Sequence, residues 1–239
     1  MEVSVFIPCF IDQLYADTAF NVIKVLKKCG CKVKYNPEQT CCGQPSFNSG
    51  HWGETRSVAL KFLNDFGGDS LIVSPSASCS GFIRNHYSRL FNDEEDKQKA
   101  IALKSRIYEF TDFLINKLGV EDLGAVFPHR VTYHDGCSAL REYGIKEEPR
   151  RLLKQVSGLD LVEMEETETC CGFGGSFSAK FTDISTAMTE QKVGHALATS
   201  AEYIVSTEAS CLMNIESYIR KQKLPLKTIH IADVLASGY

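Results

Sequence analysis

The sequence predicts an α/β protein of two tandem, pseudo-symmetric lobes, each with a mostly parallel sheet flanked by helices. Three observations lead there. Strand-like and helix-like segments alternate along the chain. Four blocks recur in the same order in both halves. Equivalent cysteines of the two halves lie 128, 129 and 132 residues apart, so few insertions separate the copies. The repeated blocks are "VSVFIPCF" with "VTYHDGCS", "VKYNPEQTCCG" with "LVEMEETETCCG", "SLIVSPSASC" with "EYIVSTEASC", and "RIYEFTDFLINKL" with "KTIHIADVLASG". The lobes are expected at residues 1–120 and 121–239, joined near "LGVEDLGAVFPHR".

In the first lobe, "VSVFIP" reads as a buried strand. "ADTAFNVIKVLKKCG" follows as a helix, with apolar Phe20, Val22, Ile23, Val25 and Leu26 and with Gly30 at its C-terminal end. The strand "CKVKYN" leads into the first Cys-Cys-Gly turn. The helix "GETRSVALKFLNDFG" then precedes the strand "SLIVSP". The second lobe repeats the order: "VTYHD" as a strand, "EEPRRLLKQVSG" as a helix with Pro149 in its first turn, "LDLVEME", the second Cys-Cys-Gly turn, the helix "AMTEQKVGHALATS", and the strand "EYIVST".

Whole-chain properties narrow the function. The chain has 239 residues, 44% apolar and 23% charged, with net charge −4 and no long basic run. Nucleic acid and acidic membrane surfaces are therefore not expected partners. No apolar run approaches the roughly 20 residues that span a bilayer, and "MEVSVFIPCF" has no basic n-region or cleavable core. A cytoplasmic location is expected. Ten cysteines then stand out. In a reducing compartment such a set points to metal or redox chemistry ahead of structural disulfides.

Eight of the ten fall where the two repeats place them. Cys9 follows the first strand, Cys41 and Cys42 the second, and Cys79 the third; Cys137, Cys170, Cys171 and Cys211 repeat this. Ligands of open α/β sheets sit beyond the carboxyl ends of the strands, so each quartet is expected to gather there in its own pocket. Adjacent cysteines are poor disulfide partners, because consecutive Cα atoms are only about 3.8 Å apart. The spacings are Cys-x31-Cys-Cys-x36-Cys and Cys-x32-Cys-Cys-x39-Cys. Zinc accepts four thiolates, but structural zinc sites use Cys-x2–4-Cys pairs. Neighbouring thiolates reach different irons of a cluster more easily than two vertices around one small ion. Iron–sulfur, zinc in one lobe, and unmetallated thiols remain the three readings of the quartets.

These motifs resemble the cysteine-rich CCG domain repeated in heterodisulfide reductases and related redox proteins. Within that family the chain is most similar to the lactate-utilisation protein A branch, the iron–sulfur subunits of L-lactate dehydrogenase complexes. The likeness rests on "SPSASC", "HDGCSALREYGI", "ETCCGFGGSFS" and "STEASCLMNI" and spans nearly the full chain. The resemblance implies a [4Fe–4S] cluster, one or two per chain, ligated by the eight cysteines. It implies an oxidoreductase subunit that works with other iron–sulfur and accessory subunits to oxidise L-lactate to pyruvate, with a small carboxylate as substrate. The alternatives are a component of a thiol–disulfide or heterodisulfide reductase and a zinc-binding scaffold without redox chemistry. The family pattern ends Cys-x-x-Cys, whereas this chain has Ser76 and Glu208 at the earlier of those two positions. Each lobe thus keeps four candidate ligands instead of five.

The remaining polar and small residues are read as follows. Gly43 and Gly172 allow a tight turn after the paired cysteines. Gly174 and Gly175 can bring bare N–H groups toward an anionic group, or form an ordinary loop into a helix. "GFGGSF" does not match a dinucleotide fingerprint. His134 and Asp135 can hydrogen-bond metal ligands, and His134 is the one candidate for proton handling. Cys29 and Cys31 read as packing residues, and Arg56 and Arg141 as exposed helix charges that could otherwise attract a carboxylate. The run "NDEEDKQKA" reads as a solvated segment. Neither a Ser–His–Asp hydrolase signature nor a P-loop is present.

Overall fold

The computed structural model describes all 239 residues. Two four-stranded sheets, both entirely parallel, are laid out alike. Strands β1 (Glu2–Val5), β2 (Lys32–Tyr35), β3 (Leu71–Ser74) and β4 (Ile107–Glu109) form the first, in the order β2-β1-β3-β4. Strands β5 (Arg130–Tyr133), β6 (Asp160–Leu161), β7 (Tyr203–Ser206) and β8 (Lys227–His230) form the second, in the order β6-β5-β7-β8. The fold predicted by the strand–helix alternation is the one observed. "RIYEF" and "KTIH", matched above only as a repeat, are the outermost strands β4 and β8.

Helices cross between the strands. In the first half these are α1 (Cys9–Leu14), α2 (Ala16–Lys28), α3 (Gln44–Asn48), α4 (Trp52–Asp65), α5 (Ala77–Leu90), α6 (Glu94–Lys104) and α7 (Phe110–Asp112). In the second they are α8 (Glu147–Lys154), α9 (Ser176–Lys180), α10 (Thr182–Ala198), α11 (Ala209–Gln222) and α12 (Ile231–Leu235). Single π turns occupy Phe113–Lys117 and Ala139–Tyr143. The predicted apolar face of α2 is narrower than its sequence implies: Val22, Val25 and Leu26 are fully buried, while Phe20 is 70% exposed. β6 is only two residues long, because most of "LDLVEME" turns away from β5 after two pairs of partners.

Packing explains how the two halves hold together. One core draws Val3 and Val5 from β1, Val131 and Tyr133 from β5, Val22, Val25 and Leu26 from α2, Leu152 and Leu153 from α8, and Val234 and Leu235 from α12. Both sheets thus bury one face against shared structure, which the hydrophobic effect favours at about 25 cal/mol per Å². The opposite faces have separate cores, Phe6, Phe62, Phe82 and Tyr87 in one half and Val193, Ile204, Ile215 and Ile219 in the other. Polar contacts fix the seam. Asp233 accepts from Thr18 at 2.8 Å and Asn21 at 2.9 Å, and Asn85 donates to the Glu142 carbonyl at 2.6 Å.

Each sheet has a switch point at its centre. The chain leaves β1 toward β2 on one side, then crosses back to β3 on the other, so the loops after β1 and β3 diverge and leave a crevice at the carboxyl edge. Because the lobes pack about their shared core, the two crevices face each other.

Candidate functional site

All eight repeat cysteines line a single cavity of about 470 Å³. The expectation of two separate pockets is thereby modified: the quartets open into one chamber between the lobes. Cys9 begins α1 directly after β1, Cys79 lies in the first turn of α5 after β3, and Cys41 and Cys42 sit in the loop after β2. Cys137, Cys170, Cys171 and Cys211 hold the corresponding places. All ten cysteines are free, with no vicinal disulfide. Cys29 and Cys31 lie apart from the cavity, packed against the shared core.

Within the first quartet Cys9 Sγ is 3.9 Å from Cys41 Sγ, and Cys42 Sγ is 3.3 Å from Cys79 Sγ. The paired cysteines are anchored through their backbones. Tyr87 Oη donates to the Cys42 carbonyl at 2.7 Å. In the other half Thr189 Oγ1 and Asn214 Nδ2 donate to the Cys171 carbonyl at 2.9 and 3.0 Å. The next residue turns back in each case: the Gly43 and Gly172 N–H groups donate to Cys41 Sγ and Cys170 Sγ, both at 3.4 Å. This turn requires φ values of +89° and +86°, which glycine adopts without a Cβ clash. Lys192, buried in α10, donates to the carbonyls of Glu166 at 2.6 Å and Thr167 at 3.1 Å and so pins the loop that enters Cys170.

The electrostatics of the quartets are those of donors crowded without a counter-charge. Hydrogen bonds from Cys42 and Cys9 hold the Cys41 thiol down at about 3, and those from Cys137 and Cys171 hold Cys170 down at about 2. Their partners move the other way. Cys9 is pushed up by hydrogen bonding to Cys41 and by burial, Cys137 by hydrogen bonding to Cys170 and by burial. Cys211 is held at about 6, chiefly by Cys171. Cys41 in the first quartet and Cys170 and Cys211 in the second are thus favoured as thiolates, and further ionisation of the neighbouring sulfurs sets like charges side by side. A cation between the sulfurs removes that penalty, because metal binding deprotonates its thiol ligands. The donor set therefore fits a metal or an iron–sulfur group.

Around the sulfurs the cavity wall is largely apolar, with Phe10 and Phe173 in edge-to-face contact across the two lobes at 5.5 Å. Gly174 and Gly175 line the cavity beside Phe173, with Gly175 preceding α9. Glu208 is the sole acidic side chain on the wall, burial pushes its pKa up to about 8, and no Arg or Lys reaches it. Arg56 instead donates to the Leu90 carbonyl at 2.5 Å, and Arg141 lines a separate surface pocket. Asp135, placed beside the metal ligands by the sequence reading, forms a buried bidentate pair with Arg150 at 2.7 and 2.9 Å. It is turned away because a buried carboxylate needs a fixed cation, and Arg150 supplies one. His134 stays at the site, fully buried.

Two residues of this wall have a role that sequence reasoning missed. Ser76 and Glu208 stand where the longer CCG pattern has its extra cysteine, and they meet across the lobes: Ser76 Oγ donates to Glu208 Oε2 at 3.4 Å. The signal was available in their matching positions in "SPSASC" and "STEASC", but no local pattern says that equivalent residues of two repeats touch.

Fold and site together define a two-lobed α/β protein built around a shared, cysteine-lined metal-type donor set. Residues 3–84 and 131–216 both match the profile of the CCG cysteine-rich domain. The chain belongs to this CCG family. Lactate utilization protein A of Oceanobacillus iheyensis is 41% identical over 236 residues, covering 98% of this chain and 96% of that protein. Lactate utilization protein A 1 of Bacillus mycoides is 42% identical over 237 residues, with the same coverage. Lactate utilization protein A 2 of Bacillus cereus is 38% identical over 239 residues, covering 100% of this chain and 99% of that one. The crystal structure of a hypothetical protein from Helicobacter pylori shares the fold, with a TM-score of 0.60 at 11% identity; this chain spans about half its length (49%). No helix is long and apolar enough to cross a membrane.

Proposed function

We propose that the chain is the iron–sulfur subunit of an L-lactate-oxidising complex and that it relays electrons between partner subunits. In this reading lobes 1–120 and 121–239 each contribute one centre. Cys9, Cys41, Cys42 and Cys79 hold the first; Cys137, Cys170, Cys171 and Cys211 hold the second, each of the [4Fe–4S] type. The observation that carries it is the convergence of all eight sulfurs on one cavity from six separate segments that follow strands. The names and full-length similarity of the relatives support the lactate assignment.

A bound cluster supplies a one-electron site whose potential follows ligand charge, hydrogen bonds to sulfur and solvent access. The protein's part is to set those terms. The Gly43 and Gly172 N–H groups donate to one sulfur of each quartet and favour added negative charge there. Phe10 and Phe173 add apolar wall beside the sulfurs, which lowers the polarity of their surroundings. With no Arg or Lys on the wall to pair a carboxylate, lactate itself binds on a partner protein and this chain takes up the electrons. The test is anaerobic reconstitution with the partner subunits: lactate addition bleaches the cluster absorption of this chain. Disulfide reduction without lactate would point to the heterodisulfide-reductase reading instead.

One observation favours a second reading. The S–S separations of 3.9 and 3.3 Å approach the edge of a mononuclear tetrahedral site, about 3.8 Å for a Zn–S bond of roughly 2.3 Å. Zinc in one lobe, with a structural role, is that alternative.

A further inference from the structure

The second quartet has a neighbour that the first lacks. His134 directly follows β5, where its N–H donates to the Val205 carbonyl at 2.9 Å and its own carbonyl accepts from Ser206 Oγ at 3.0 Å. Its side chain is fully buried, and neither Nδ1 nor Nε2 has a nitrogen or oxygen hydrogen-bond partner; its polar contact is toward the Cys211 sulfur. Leaving even one such group unpaired costs about 1–3 kcal/mol, so buried polar atoms in native proteins are nearly always engaged. One ring nitrogen of His134 lies in a mutual group with Cys171 Sγ and Cys211 Sγ, all within 4.8 Å of one another.

Comparison of the lobes sharpens this. The repeat aligns His134 with Phe6, and Phe6 packs edge-on against Phe62 and Phe66 at 4.9 and 5.7 Å in an apolar core. The same backbone position thus accepts a purely apolar ring in one lobe and carries an imidazole without a nitrogen or oxygen partner in the other. Glu208, at the place of the fifth cysteine of the family pattern, is committed to Ser78 and Ser76. The polar side chain left beside the second quartet is His134, just after β5.

We propose that His134 is a nitrogen ligand to the metal atom held by Cys171 and Cys211, so that the second centre is a mixed nitrogen–sulfur site and the first is sulfur only. This rests on the metal-binding reading above. The neutral imidazole coordinates through a ring lone pair, a bonding mode common for histidine. No electron changes hands in forming the bond, and no co-reactant is consumed. Histidine in place of cysteine on one iron is compatible with iron–sulfur ligation.

Pulsed EPR of the anaerobically purified chain, in its paramagnetic redox state, tests this by nitrogen hyperfine coupling. A strongly coupled nitrogen is expected in protein with natural-abundance histidine, and its frequencies shift in protein labelled with 15N-histidine. The coupling is lost in His134→Phe, which copies the first lobe, and in His134→Gln, at unchanged iron content. The labelling arm needs no variant and decides the matter if both substitutions fail to fold. Iron and sulfide present without a coupled histidine nitrogen overturn the His134 ligand alone. If zinc is found in place of iron, zinc-edge X-ray absorption decides instead: nitrogen in the coordination shell supports the proposal, and sulfur alone overturns it. A chain that binds no metal overturns both this ligand and the metal-binding reading.

Discussion

Glu208, from the second lobe, caps a helix of the first: its carboxylate accepts the Ser78 N–H and the Ser78 hydroxyl, each at 2.7 Å. Ser78 lies in the first turn of α5, the helix that carries Cys79, so this contact ties the position of a first-lobe sulfur to a second-lobe side chain. The carboxyl is fully buried, and burial pushes its pKa up to about 8. Glu208→Ala leaves the Ser78 N–H unpaired at the lobe seam and the Ser76 and Ser78 hydroxyls with each other as their remaining side-chain partners. It is expected to cost about 2 kcal/mol of stability, with a fall in melting temperature of about 4–8 °C at this chain length. Calorimetry of the variant checks it; an unchanged transition would remove the cap from the account.

The two Cys-Cys-Gly turns are predicted to differ in tolerance. Both glycines need positive φ, so Gly43→Ala carries the backbone cost of about 1–2 kcal/mol. At Gly43 an added Cβ meets Thr55 and Val58 at 3.4 Å, an ordinary contact. At Gly172 it would stand 2.5 Å from the Ser185 carbonyl oxygen. Gly172→Ala must therefore shift α10 or the turn and is expected to lose metal from the second quartet, while Gly43→Ala keeps the first quartet loaded. Metal stoichiometry and urea unfolding of the two variants make the comparison.

Stability should fall as pH rises toward alkaline values because of Glu109. Its fully buried carboxyl caps α7 through the Thr111 and Asp112 N–H groups at 2.7 and 3.1 Å, and burial pushes its pKa up to about 8 from an ordinary 4.5. The native state thus holds a proton that the unfolded chain releases near 4.5. Its stabilising contribution is full below that pH and is lost as pH rises through about 8. Glu109→Gln, which cannot ionise, should be less sensitive, gaining on the order of 4 kcal/mol relative to the natural chain between about pH 5 and about pH 9. Urea unfolding of both demetallated proteins across that range measures the difference, and parallel curves would contradict it.

Much of this architecture was legible before the structure. The strands that end at Val5, Ser74, Tyr133 and Ser206 announce themselves as short apolar runs, and the repeat reports that Cys9, Cys41, Cys42 and Cys79 have partners in Cys137, Cys170, Cys171 and Cys211. Local periodicity encodes which residues face a sheet, so the parallel alternation and the sulfurs at the strand ends could be read directly. It does not encode how two lobes pack. The shared cavity and the Ser76–Glu208 meeting depend on how the lobes pack, through contacts between residues far apart in the chain, as in Ser76 with Glu208 (132) and Thr18 with Asp233 (215). Asp135 shows the same limit on a smaller scale. Its place beside Cys137 in the sequence implies a shared site, but the strand's alternation sends it to Arg150.

Metal and sulfide analysis of the anaerobically purified chain, beside Cys42→Ala and Cys171→Ala, tests the central claim most directly. The account predicts iron with matching acid-labile sulfide, and a loss of about half of both in each variant as one quartet fails. Zinc without sulfide, or iron that both variants retain in full, would contradict it.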